Sequence, residues 1–384
     1  MKKQQKHSPD IEKWLKLIRA KNVGATTFAR LLDYFGSVDK ALGASVSELT
    51  HVEGIGNKTA EQIAATRDSF DTKAELKLAD KLDVWMINFN DPRYPLTLKR
   101  IYDPPPVLYV KGTLEKADNL CVAIVGSRRC SLYGSEQASR FAHLLSSAGV
   151  TICSGMARGI DTAAHIGALK AKGRTIAVQG CGLANIFPPE NKKLFKQIPK
   201  SGACVSELPL SYEPISENFP PRNRIIAGLS LATLVIEAAS RSGALITADM
   251  AMENGREVMA VPGKIDSPLS RGTNRLLKQG AKLVENIDDV MEALNDIGHQ
   301  IKNHVTTAAS QAAEVINAPL FDVSMLNLSD AEREIYDCLN SEPVHLEQLI
   351  AEADLAPGSV NAALISLRLK GLIKQLPGNL FLRK

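Results

Sequence analysis

The chain reads as an α/β protein with small helical domains at its two ends, and three observations carry that reading. Between residues 119 and 295, apolar β-branched runs of strand length alternate with stretches at helical spacing, the order of an open sheet covered by helices on both faces. Residues 1–70 and 329–384 show helical periodicity instead. Within the central part, Cys121–Val125 and Val150–Cys153 each stop at a small-residue turn, and Ala138, Phe141, Ala142, Leu145 and Ala148 recur at helical spacing between them, with Gly149 placed as a C-cap. That is one βαβ unit.

A chain of 384 residues, 45% of them hydrophobic, suffices for two or three domains with a sizeable core. The formal charge of +4 is too small to decide a nucleic-acid partner, so the local distribution of charge has to. Six cysteines form no CxxC pair and mostly fall in or beside predicted strands, which points to reduced thiols in a cytoplasm rather than to disulfides or a metal site. The basic start, MKKQQKHSPD, is followed by no apolar segment, and no run of about 18 apolar residues occurs. A soluble cytoplasmic protein without a membrane partner is expected.

Residues 1–70 read as a helical domain on Trp14, Leu15, Leu17 and Ile18, then Phe28, Leu31, Leu32 and Phe35, then Ile63 and Ala64. Within it, Gly54-Ile55-Gly56 resembles the hairpin of a helix-hairpin-helix module, and Asn22-Val23-Gly24 looks like a degenerate first copy. Such a turn either offers backbone amides to a DNA phosphate or simply joins two packed helices. Residues 71–118 hold strand candidates at 84–87 and 107–110 among dense prolines, and are assigned a connecting and packing role. In 119–295 the predicted strands are 121–125, 150–153, 175–179, 203–206, 232–236, 257–261 and 281–284. Residues 296–328 lack a sustained period and read as a linker, with a short amphipathic helix around 308–316 as the alternative. Residues 329–384 give three helices and a strand pair, a winged helix. Its 6 basic against 8 acidic residues make it a poor candidate for reading a duplex.

The charged residues that matter lie just after predicted strands, where an open α/β sheet binds its ligands. Gly126-Ser127-Arg128-Arg129 follows the first strand of the βαβ unit, and Ser154-Gly155 through Arg158-Gly159 follows the second. Helix N-termini, small residues and three arginines at one edge favour phosphate. No second glycine follows Gly126 until Gly134, so the dinucleotide spacing is absent and no cofactor is expected. Asp161 is expected to cap the next helix, with His165 one turn on as a hydrogen-bonded helix residue rather than a proton shuttle. Phe219, held before Pro220-Pro221, is followed by Arg222-Asn223-Arg224 at a helix start. Its ring either stacks on a base or plugs the core. Ser242-Gly243 and Lys264 extend the same kind of edge.

Taken in order, VGSRR…YG, SGMARGID…H, FPPRNRIIAGLS, SGALITA, GREVMAVPG and RGTNRLLKQGA resemble the DNA-processing protein A family, DprA or Smf, across nearly the whole chain. The resemblance implies an extended Rossmann-like domain that binds single-stranded DNA, a homodimer, and help in loading RecA onto incoming DNA in natural transformation. It places the strand-binding pocket on Arg128 and Phe219, with Arg222 and Arg224 beside it. Some members carry a lysine shortly before that phenylalanine; here Ile215-Ser216-Glu217-Asn218 stands there, leaving Lys192, Lys193 or Lys264 to supply the charge. The alternative is an enzyme: related Rossmann-like phosphoribohydrolases follow a glycine turn with a catalytic glutamate. Here Met250 occupies that position and Glu253 is out of step, so no catalytic residue is assigned.

Overall fold

The computed structural model describes residues 6–294, 328–339, 343–353, 355–369, 372–376 and 380–383. The chain divides into two compact units, Met1–Glu115 with Gly155–Ala157 and Ile176–Leu229, and Lys116–Ser154 with Arg158–Thr175 and Ser230–Lys384. Among the described residues of the sheet region, the strands in chain order are β1 (Trp85–Asn88), β2 (Val107–Gly112), β3 (Cys121–Val125), β4 (Thr151–Ser154), β5 (Thr175–Val178), β6 (Ala203–Ser206), β7 (Ala232–Val235), β8 (Glu257–Ala260) and β9 (Lys282–Leu283).

In the first unit the strand order is β1-β2-β6-β5. Strands β5 and β6 are parallel, whereas β2 runs antiparallel to β6, pairing Tyr109 with Ser206 and Val110 with Val205, and β1 antiparallel to β2. This corrects the connecting role expected for residues 71–118, which supply two sheet strands and, before them, the helix α6 (Thr72–Leu82). The prolines lead into the strand: Pro105 and Pro106 are buried, and buried Tyr94 donates its hydroxyl to the Pro105 carbonyl at 2.8 Å. A proline without an N–H is tolerated there because the ladder begins only at Val107.

The N-terminal helices are α1 (Ile11–Arg19), α2 (Ala25–Phe35), α3 (Val38–Gly43), α4 (Val46–Leu49) and α5 (Asn57–Thr66). The suspected internal repeat is present in the backbone. Asn22 (φ 67°) and Gly54 (φ 80°) both adopt the left-handed conformation, Val23 and Ile55 are both buried, and Gly24 and Gly56 both stand as N-caps, of α2 and α5. Asparagine replaces glycine at the first position because it too tolerates that conformation. The helices are tied to the rest of the unit by polar contacts: Arg19 donates to the Glu207 carbonyl at 2.6 Å, and the Glu75 carboxylate accepts from Leu210 N at 2.7 Å.

In the second unit the order is β4-β3-β7-β8-β9, all parallel where paired. After α6 the next α-helices in chain order are α7 (Leu96–Lys99), α8 (Leu132–Ser147), α9 (Ile160–Lys170), α10 (Lys192–Gln197), α11 (Phe219–Leu229) and α12 (Gly243–Glu253); from β3 the chain passes through α8 to β4 on one side, and from β7 through α12 to β8 on the other. That reversal between β3 and β7 is a topological switch point. Val122, Ile124, Phe141, Leu145, Ile152, Ile160, Leu234 and Met259 are part of one core, which explains the unbroken apolar runs in the sequence.

The C-terminal segment is a winged helix as expected. Helices Asp330–Cys338, Leu346–Glu352 and Pro357–Leu369 enclose Ile335, Leu349, Val360, Leu364 and Leu367, with a small sheet of Val344–His345, Leu380–Arg383 and Ile373–Leu376 in that spatial order. Ser329 and Glu332 form a reciprocal capping box at its start. The linker expected at 296–328 lies outside the described residues up to position 327, as does the wing turn at 377–379.

Candidate nucleic-acid interface

Each unit positions its own share of the residues singled out in the sequence. In the first unit α11 (Phe219–Leu229) begins at Phe219, with both prolines in its first turn, where no N–H is needed. The ring is half-buried. It rests on Gly180, where a Cβ would lie 2.8 Å from the ring's Cδ1, so only glycine leaves room for this ring position. Phe187 lies beside it, ring centroids 5.3 Å apart and tilted by 44°, and the Arg222 guanidinium carbon is 5.7 Å from the Phe219 centroid.

The three polar residues after the prolines do not reach outward, which corrects their assignment to DNA contact. Arg222 is 5% exposed and donates from Nη1 to the Gly155 carbonyl at 2.8 Å and also to the Val178 carbonyl. Asn223 is buried and accepts from Arg222 Nε at 3.2 Å. Arg224 is buried against Asp103, Nε to Oδ2 at 2.8 Å, and pairs with both carboxylate oxygens of Glu207. Burial would lower its pKa, but Glu207 and Asp103 outweigh that and raise it, so the guanidinium stays charged. The helix is buried on all sides from 222 to 229, the two arginines included, so their guanidinium groups must find internal acceptors.

The second unit holds the exposed arginines predicted at the strand ends. Gly126 ends β3 where a Cβ would lie 2.6 Å from Ile160 Cγ1 and 2.8 Å from the Glu237 carbonyl oxygen. Ser127 N donates to that carbonyl at 2.7 Å, and the Ser127 hydroxyl accepts from Arg129 N at 3.2 Å. The turn is therefore fixed, and it leaves Arg128 and Arg129 exposed. Gly159 (φ 76°) brings the second turn against the first: a Cβ there would lie 2.3 Å from the Ser127 carbonyl oxygen. Arg158 is exposed on that second turn. Three guanidinium groups thus project from two turns in backbone contact, an arrangement suited to phosphates.

The remaining predicted residues divide. Ser154 is fully buried and donates to the Ile124 carbonyl at 2.7 Å, so its role is to hold β4 to β3, not to meet a ligand. Gly155 is buried too, its carbonyl taken by Arg222. Ser242 caps α12, accepting from Ala244 N, and Gly243 is exposed at its first turn. Lys264 is exposed on a loop whose base is pinned by Asn274, which exchanges two hydrogen bonds with Gly263, 3.2 and 2.9 Å. Lys192 and Lys193, offered as substitutes for the missing lysine, are at the start of the helix Lys192–Gln197 in the first unit and Lys264 is in the second. Asp161 does not cap the helix Ile160–Lys170; Gly159 holds that position and Asp161 is buried in the first turn. His165 is buried with Nδ1 2.7 Å from the Thr175 hydroxyl, the structural role expected of it. Glu253 is exposed at the far end of α12 from the Ser242-Gly243 turn.

Sequence reasoning missed Gly180 and Phe187. The signal was there: Phe-Pro-Pro occurs twice, at 187–189 and 219–221, and the two phenyl rings meet. It also missed Asn191, whose side-chain amide donates to the carbonyl of Met156 at 2.9 Å and so braces a residue held at φ 60°.

Comparison with known proteins places this arrangement. Residues 85–295 match the model of the DNA recombination-mediator protein A family, residues 323–379 a DprA winged helix domain and residues 10–60 a DprA-like N-terminal HHH domain. Protein Smf of Synechocystis sp. is 35% identical over 97% of this chain and 98% of its own length. The chain belongs to the DprA/Smf family. DNA processing protein DprA of Streptococcus pneumoniae is 45% identical over 52% of this chain and 71% of its own. The X-ray structure of DprA from that organism covers 73% of this chain and 97% of its own, with a TM-score of 0.65 and 35% identity. A solved structure of DNA processing protein A from Helicobacter pylori, which concerns that protein's single-stranded DNA binding mode, covers 54% of this chain at 31% identity and a TM-score of 0.47. The fold expectation, a Rossmann-like sheet region with helix-hairpin-helix and winged-helix domains, agrees with these matches.

Proposed function

We propose that this chain binds single-stranded DNA without a catalytic step and hands it to a recombinase. The observation that carries the reading is Phe219, a half-buried phenyl ring fixed by a glycine beneath it at the first residue of a helix. A fixed aromatic face suits an unpaired base, which a duplex does not offer. The exposed Arg128, Arg129 and Arg158, with Lys264, supply the charge that a phosphate backbone requires. Membership of a family of recombination mediators supports a role in handling DNA for recombination.

Protection of incoming DNA, loading of RecA, a homodimeric state and a place in natural transformation belong to the same proposal, and the family resemblance supports them. A cytoplasmic location fits six free cysteines, of which burial pushes Cys121 and Cys204 well up and Cys181 to about 11, leaving thiols that react poorly. The test is fluorescence anisotropy of labelled single-stranded and double-stranded oligonucleotides of one length. Preference for the single strand is expected; equal or stronger binding of the duplex would overturn the reading.

A further inference from the structure

Arg222 and Gly180 show that the first unit devotes several buried groups to the position of one ring, and the same unit holds a second ring against it. Phe187 is half-buried, like Phe219, so each ring keeps part of its surface in solvent. The loop that carries Phe187 is fixed. Gly182 N donates to the Tyr212 carbonyl and Ala184 N to the Leu210 carbonyl, both at 2.9 Å, and the Asn185 side chain donates to the carbonyls of Ser211 and Tyr212 at 3.1 and 2.9 Å. Such a loop loses little freedom when a ligand arrives. A tilted pair of rings 5.3 Å apart is a favourable aromatic contact by itself. A core would bury both rings completely, and this one does not.

We propose that Phe187 is a second base-stacking residue, its ring forming with that of Phe219 a two-ring platform on which neighbouring bases of a single strand rest. Gly180 and Arg222 are its positioning residues: the glycine by leaving space under Phe219, the arginine by fixing the first turn of α11 to the carbonyls of Val178 and Gly155. The 44° tilt turns one stacking surface against the other, so the strand bends at that step instead of continuing a parallel stack. This rests on the single-strand reading above.

The experiment uses the full chain and oligothymidylates carrying one 2-aminopurine, whose fluorescence falls on stacking. Phe187→Leu keeps apolar volume and removes the ring. It should weaken binding about tenfold, leave the salt dependence unchanged and restore part of the fluorescence. Phe219→Leu should do the same, and the double variant should lose less than the product of the two. Gly180→Ala should weaken binding with both rings present. If the parent and Phe219→Leu behave as stated while Phe187→Leu binds and quenches like the parent, the second ring is overturned and the single-strand reading stands. If the parent does not bind, or Phe219→Leu binds like the parent, the reading itself fails and the platform with it. Should Phe187→Leu not fold, photocross-linking of 5-iodouracil oligonucleotides to the unaltered protein decides. Adducts on the peptide containing Phe187 are expected, and adducts confined to other peptides overturn the proposal.

Discussion

Arg224 faces Glu207 in a two-pronged ion pair, Nη1 to Oε1 at 2.9 Å and Nη2 to Oε2 at 2.7 Å, while its Nε bonds Asp103 at 2.8 Å. The residue ties α11 to the loop after β6 and is therefore a stability residue. Lysine keeps the charge but cannot make the fork. Arg224→Lys should lower unfolding stability in urea by about 2 kcal/mol and leave the salt dependence of DNA binding as in the parent. A flatter dependence with unchanged stability would show that Arg224 meets phosphate after all.

Asp91 gives a pH dependence with a definite sign. Burial alone would raise its pKa, but hydrogen bonds from Arg93 and from the Ser8 hydroxyl outweigh burial and hold it at about 2, below the usual 3.8. A depressed folded pKa means stability that is present above the unfolded value and lost as pH falls through the folded one. About 2 kcal/mol should disappear between pH 4 and 2, and Asp91→Asn should remove that part of the profile. Parallel urea profiles for the parent and the variant across that range would contradict this.

The paired hairpins of the N-terminal domain offer a clean test of phosphate contact. Gly54 is a poor site for it, because its φ of 80° makes any residue with a side chain strained there. Gly24 and Gly56 have ordinary backbone angles and no atom within 4 Å of an added Cβ. Replacing both with alanine should lower stability by about 1 kcal/mol and weaken DNA binding about threefold at low salt. Unchanged binding would leave the hairpins as helix connections.

The winged helix, with its acidic excess, should contact protein. Deleting residues 325–384 should leave single-strand affinity within a few-fold. A hundredfold loss, about 2.7 kcal/mol, would show that it holds the strand.

The parallel strands were legible because burial on both faces leaves an unbroken apolar run; β3, with Val122 and Ile124 fully buried, is an example. The winged helix and the hairpin repeat were legible from periodicity and from glycines at positions that need them. Strands β1 and β2 are legible as strands but not as part of a sheet, since dense prolines mask the antiparallel edge they form. Arg222 and Arg224 look like surface cations in the sequence, which shows a charge without showing the carbonyls or carboxylates that receive it. Phe187 and Phe219 lie in separate segments, and only the fold brings their rings together.

Salt dependence measured on two variants tests the central claim most directly. Arg128 is exposed on a fixed turn suited to phosphate, so Arg128→Ala should lower affinity and reduce the slope of log K against log salt by about one. Phe219→Ala should lower affinity by roughly 1 to 3 kcal/mol with the slope unchanged. If both folded variants bind single-stranded DNA like the parent, the account is contradicted.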